Sequence, residues 1–278
     1  MKTVLVINDN DKSCGVVNAT RFAFFIAQKM QANLLVANVF KFNNILNEKV
    51  IIGHDGERQP GEHGADLCEY LDMLNALPND FEPKVKEIDA SAIDESQLAE
   101  VINENNIWMI VKEVAAPAPL AFNKENLNFD IILNKIHCPL LLVPGNWLLK
   151  TIERLAYIAD LRYCRMQIVK YLIELAKAYH ADLSIAHLAA AGIPDMDDSY
   201  ANKLFDEEVR GNVHYDQLFF NNIREKDLTK SVDVLINGMH NDLLVMVKTR
   251  FHFNEIMGPY LNNTLPAHIT IPLLIFPY

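Results

Sequence analysis

At 278 residues, half of them hydrophobic and 22% charged, the chain is long for one compact domain and comfortable for two. That composition excludes a disordered polypeptide. The formal net charge of -11 argues against a nucleic-acid backbone or an anionic membrane as the main partner. The opening MKTVLVINDND holds too short an apolar run for a signal peptide, and no stretch approaches a membrane span, so the expected location is the cytoplasm. Cys14, Cys68, Cys138 and Cys164 lie far apart without CxxC spacing and read as reduced thiols, with a disulfide pair as the alternative.

In chain order, VLVIND (Val4 to Asp9) predicts a first strand closed by an acid. Ala19, Phe22, Ala23, Ile26, Ala27 and Met30 then share one helical face. QANLLVANV (Gln31 to Val39) predicts a second strand. After it, Gly53 to Gly64 (GHDGERQPGEHG) reads as a polar surface loop. A helix over 66–77, a strand over 84–88 and a helix over 95–105 follow. NIWMIVK (Asn106 to Lys112) predicts a fourth strand, and IHCPLLLVP (Ile136 to Pro144) a fifth, led and closed by proline.

The same order is then written again. LAYIAD (Leu155 to Asp160) answers VLVIND, and Leu172, Leu175, Ala176 and Tyr179 give the next helix. HADLSIAHL (His180 to Leu188) answers QANLLVANV. Helices are predicted over 200–211 and 228–240, with a strand over 217–223 between them. DLLVMVK (Asp242 to Lys248) answers NIWMIVK, and ITIPLLIFPY (Ile269 to Tyr278) answers the proline-led fifth strand. Four matches in one order, with only loop-length drift, indicate an internal duplication. The boundary falls near 145–150, giving domains of 1–147 and 148–278. Near-continuous apolar strands separated by helices imply parallel sheets covered on both faces: two tandem doubly wound α/β units, with any ligand crevice at the carboxyl ends of the strands.

Together, the Asp closing strand one, the Ala-[Asp/Asn]-Leu second strand, DLLVMV and HCPLLLVP resemble the universal stress protein family in its tandem, two-domain form. The resemblance spans essentially the whole chain. It implies strand order 3-2-1-4-5 in each half and packing of the halves through their fifth strands as a pseudo-dimer, each covering an edge that would otherwise invite aggregation. It also implies a non-enzymatic stress-response or regulatory role, exerted through a protein partner or a small ligand. ATP-binding members carry Gly-x2-Gly-x9-Gly-Ser/Thr after strand four. Glycines there admit phosphate oxygens to main-chain N–H groups. Here strand four continues as EVAAPAPLAFNKENLNF after Lys112, and its counterpart as TRFHFNEIMGPYLNNT after Lys248. Val111 and Val247 bring bulk to the first glycine's position, Arg250 stands near the second, and Pro117 and Pro119 remove donors. The expectation is therefore no ATP cofactor.

Crevice candidates are Asp9, Lys112, Asp160, Lys248 and Arg250. One reading pairs each lysine with its Asp (Lys112 with Asp9, Lys248 with Asp160). A second points both lysines to solvent, and a third makes Lys248 and Arg250 an anion site. Because Asp9 and Asp160 match the position that contacts adenine and ribose in binding members, an adenine-nucleotide switch or weak ATPase is the alternative function. His54, Asp55, Glu57, Glu62 and His63 are metal-ligand types, but their spacing fits no recognised site and no metal is expected. His137 and Cys138, as strand neighbours, point to opposite faces and make no dyad; Cys138 reads as core filler. His187, near the end of its strand, is a possible pocket residue, or simply satisfies a local hydrogen bond. No catalytic constellation is legible.

Overall fold

The computed structural model describes residues 1–8, 18–39, 81–114, 127–188, 195–225, 227–258, 261 and 264–278. Its first half contains β1 (Thr3–Asn8), α1 (Asn18–Lys29), β2 (Asn33–Asn38), β3 (Val85–Asp89), α2 (Glu95–Glu104), β4 (Ile107–Val114), α3 (Phe129–Leu133) and β5 (Leu140–Pro144). The second half contains β6 (Arg154–Ala159), α4 (Met166–Tyr179), β7 (Asp182–Leu188), α5 (Asp198–Leu204), β8 (Leu218–Ile223), α6 (Leu228–Asp233), β9 (Leu243–Val247), α7 (Phe251–Met257) and β10 (Leu273–Phe276). A 3-10 turn, Leu161–Tyr163, follows β6. Helix α5 runs on as a π-helical turn, Phe205–Val209, and a 3-10 turn, Arg210–Asn212. Helix α6 likewise ends in a π turn, Val234–Gly238. The helix expected over 66–77 and the loop over 53–64 lie outside the described residues.

Local chemistry fixes the element ends. Asp94 caps α2 by accepting from Ser96 and Gln97 N–H, and the Gln97 side chain returns the bond to Asp94 N–H, a complete capping box. The side chains of Asp227, Asp197 and Asn128 likewise accept first-turn N–H groups and cap α6, α5 and α3, without the reciprocal bond. Among the described residues, four non-glycine residues adopt left-handed backbone: Gln31, Asn106, His180 and His240, at φ between 50° and 54°. Gln31 and His180 precede β2 and β7, while Asn106 and His240 precede β4 and β9. The duplication thus repeats even the unfavourable backbone turns that aim the chain into each strand.

All ten strands form one sheet, ordered β3-β2-β1-β4-β5-β10-β9-β6-β7-β8. Each half keeps the expected 3-2-1-4-5 order, and every pairing is parallel except β5 with β10. There Leu142, Leu141 and Leu140 oppose Leu273, Leu274 and Ile275, and all six are essentially fully buried. The two PLL-type strands therefore meet through hydrogen bonds as well as side chains, abolishing the edges that either would present alone. Helix α4 of the second half reaches across the junction. Its Tyr171 ring stacks on Trp108 of β4 (centroids 4.5 Å, interplanar 11°), and its hydroxyl donates to the Trp108 carbonyl at 3.0 Å. Phe276 meets Tyr171 edge-on at 5.2 Å.

Two sequence expectations are corrected. Strand β4 does not end at Lys112 but continues to Val114, because its register with β5 persists to the Val114–Pro144 pair; Lys112 is therefore an interior strand residue. His137 and Cys138 sit in a bend before β5, which begins only at Leu140, so the strand-alternation argument does not apply to them. Burial instead settles the chemistry of Cys138, pushing its thiol up to about 12 and leaving it protonated and inert.

A sheet shared by both halves should unfold as a unit. Urea denaturation followed by tryptophan fluorescence and far-UV circular dichroism should give one coincident transition. Tyr171→Phe, losing only the hydrogen bond to Trp108, should cost about 1 kcal/mol. Tyr171→Ala should cost about 3 kcal/mol or more.

Candidate functional site

Parallel doubly wound sheets bind ligands beyond the carboxyl ends of the strands, where the strand order reverses. In this molecule those places are the ends of β1 and β4 in the first half and of β6 and β9 in the second. Asp9 lies outside the described residues. Lys112 is buried, with Nζ 5.4 Å above the Phe129 ring of α3. An ammonium over an aromatic face gains cation–π stabilisation that offsets part of its desolvation.

More of the crevice lies among the described residues in the second half. Asp160, one residue past β6, accepts from the Arg162 N–H at 3.0 Å and so caps the 3-10 turn. Its carboxylate also takes both prongs of the Arg162 guanidinium, at 2.8 and 2.7 Å. Burial would raise this carboxyl, but the Arg162 side chain and backbone N–H outweigh it and hold Asp160 below the usual carboxylate range. His187, at the end of β7, accepts the Leu161 N–H on Nδ1 at 3.3 Å, and the same nitrogen lies 4.0 Å from Asp160. His252 of α7 places Nε2 2.8 Å from the Leu188 carbonyl, which can only accept, so that nitrogen carries the proton. Burial lowers both imidazoles below their ordinary range, against the opposing pull of Asp160. A neutral His pair and a saturated Asp–Arg fork fill the floor of the crevice.

The expected Lys248–Asp160 pair does not form. Lys248 Nζ instead reaches across the junction to α3 of the first half. It meets the Asp130 carboxylate at 2.9 Å, the Asp130 carbonyl at 2.9 Å and the Asn134 amide oxygen at 3.0 Å. Two causes combine. Asp160 is already engaged by a planar fork two residues along the chain, which fits a carboxylate better than an ammonium does. Meanwhile β9 lies beside β10, which pairs with β5, so the helix preceding β5 comes within lysine reach. Arg250 does not join Lys248 in an anion site either: its guanidinium lies 5.5 Å over the Tyr163 ring. Arg162, Asp130, Asn134 and His252 complete these contacts and were not singled out from sequence. The Asp-x-Arg spacing at 160–162 was a legible signal; nothing local announces Asp130, whose role exists only once the halves dock.

Between Asp160, Tyr157, Tyr163, Arg250 and His252 remains a cleft of about 150 Å³. Small-molecule sites generally span roughly 300–1,000 Å³. The turn after β9 takes only Lys248, Thr249 and Arg250 before α7 begins, and buried His252 and Phe253 stand just beyond it. No group of three or more metal-ligating side chains occurs among the described residues; the 53–64 segment lies outside them. No helix among them is long and apolar enough to cross a membrane.

Two outcomes follow from this geometry. His187 and His252 are neutral when folded, whereas unfolded imidazoles protonate near about 6.5. Their contribution is complete above that pH and lost as pH falls toward the lowered folded-state values, since the unfolded chain then binds more protons. The thermal midpoint should drop as pH falls below about 6.5, and His252→Gln should flatten that limb. Asp160, held below its ordinary value, adds its loss as pH falls through the carboxylate range and below it. In double-mutant cycles, Lys248→Met with Asp130→Asn should show coupling of about 0.5 kcal/mol or more, and Lys248→Met with Asp160→Asn close to none.

No family model matches the sequence, and no curated protein matches it. Solved structures do. A putative universal stress protein from Pseudomonas aeruginosa UCBPP-PA14 superposes with a TM-score of 0.57 at 13% identity, covering 99% of this chain and 92% of that one. A universal stress protein from Archaeoglobus fulgidus DSM 4304 gives 0.56 at 11% identity, covering 99% and 97%. The cytoplasmic domain of a prokaryotic cation chloride cotransporter gives 0.50 at 9%, covering 99% and 94%. At these identities the likeness is one of architecture, and the architecture is that of the universal stress proteins, with the five-stranded unit present twice in one chain.

Proposed function

We propose that the protein is a universal stress-type protein of the kind that does not bind ATP, acting without catalysis through protein contacts or a small ligand. Residues 1–147 and 148–278 are its two domains. The observation that carries this reading is the occupied crevice of the second half. Asp160, which the resemblance assigns to adenine and ribose, is engaged by Arg162 and by the turn it caps. Lys248, the cation just past β9, is bound to the other half. The cleft left beside Asp160 is about 150 Å³. Nucleotide entry would require breaking the Asp160–Arg162 fork and displacing His252 or Arg250. Among the described residues no activated nucleophile accompanies these groups. Cys164, beside the crevice, is pushed by burial up to about 12, and Tyr157 is raised above its ordinary value.

Calorimetric titration of ATP, ADP and AMP into the full chain tests the proposal. The expected result is no saturable heat below about 1 mM ligand, a standard free energy weaker than about -4 kcal/mol. A micromolar dissociation constant would replace this reading with the nucleotide switch.

A further inference from the structure

A large cavity bordered by described residues lies away from the crevice, toward the amino ends of β6, β7 and β8. Its volume is about 590 Å³, within the range of small-molecule sites. We propose that it binds a small aromatic zwitterion, of which an aromatic α-amino acid is the simplest example. This site shares no lining residue with the carboxyl-edge crevice, so the inference stands or falls apart from the proposed function.

The duplication supplies an internal comparison. Arg154 and Asp182 face each other in the β6–β7 register, and the same register in the first half pairs Thr3 with Asn33. Ser184 pairs with Phe219 between β7 and β8, where the first half pairs Leu35 with Lys86. At each of these positions the second half carries a different chemistry, and all four of its residues border the cavity. Arg154 and Asp182 set a cation and an anion on adjacent strands, about 5 Å apart along the sheet. An α-amino acid carries its carboxylate and ammonium on a single carbon, which suits such a closely spaced pair. Existing contacts leave both groups capacity: one Arg154 nitrogen donates to the Met239 carbonyl, and one Asp182 oxygen accepts from Gln217.

An aromatic platform stands beside the charges. Phe205 and Phe220 stack at 5.1 Å and 19°, and Phe219 remains 46% exposed on an edge strand. Phe205 opens the π turn that ends α5, and the chain leaving the π turn of α6 contributes Met239 and Asn241. Single π turns inside helices recur at functional sites because the widened turn re-aims side chains. Ser184 adds an independent sign. It is 8% exposed, and its hydroxyl has no hydrogen-bond partner among the described residues, a costly state for a buried polar group that a ligand could relieve.

The test titrates L-tryptophan and L-phenylalanine into the full chain by calorimetry, with 3-phenylpropanoate and 2-phenylethylamine as probes lacking one charge each. Saturable binding of at least one amino acid below about 1 mM is expected, with each truncated probe weaker by roughly tenfold or more. Arg154→Gln should weaken the amino acid by a similar factor while leaving 2-phenylethylamine, which has no carboxylate, unchanged. Asp182→Asn should do the converse with 3-phenylpropanoate. Phe219→Ala, at an exposed position, should weaken all four, and circular dichroism of each variant should match the parent. No binding of either amino acid up to about 10 mM (an affinity of under roughly 3 kcal/mol), or binding insensitive to both charge variants, overturns the assignment.

Discussion

Three residue pairs hold the architecture together: Leu140 with Ile275, Leu141 with Leu274, and Leu142 with Leu273. Parallel α/β units usually stop growing at an edge strand, and a strand as apolar as PLLLVP cannot remain an edge in water. Joining two such strands antiparallel converts two liabilities into the centre of one ten-stranded sheet. The rest follows from that junction. It brings α4 of the second half onto Trp108 of the first, and it brings α3 of the first within reach of Lys248 of the second.

The junction also governs what the carboxyl-edge crevice contains. A lysine at the end of the fourth strand has a choice between its own acid and a neighbour's helix. Docking decides it, because Asp130 and Asn134 offer three oxygens where Asp160 has none left uncommitted to Arg162. Burial of His187 and His252 then keeps the floor neutral. The second half thus fills this region with internal contacts, and the diversity seen among proteins sharing this architecture shows how little the sheet alone dictates use.

Strand positions and their order were legible because continuous apolar runs and proline punctuation are local signals, and the repetition doubled them. The starts of the helices expected over 95–105 and 228–240 match the observed Glu95 and Leu228. The π turns were not legible, since Phe205 and Val234 differ in no local way from ordinary helical residues; their widened geometry answers to packing. Side-chain partners across the junction were equally hidden. Lys248 and Asp130 lie 118 residues apart, and only the meeting of β5 with β10 makes them neighbours. The Arg154–Asp182 pairing was hidden for a milder reason: each residue opens its own strand, and only the parallel register sets them side by side.

Sheet twist gives the ten-stranded body a handed shape. Adjacent strands rotate by roughly 20–25°, so the nine steps from β3 to β8 carry the strand direction through roughly half a revolution. The two outermost strands therefore present their flanks to opposite sides of the molecule. A rigid partner lying against one face of β8 would therefore not meet the same face of β3.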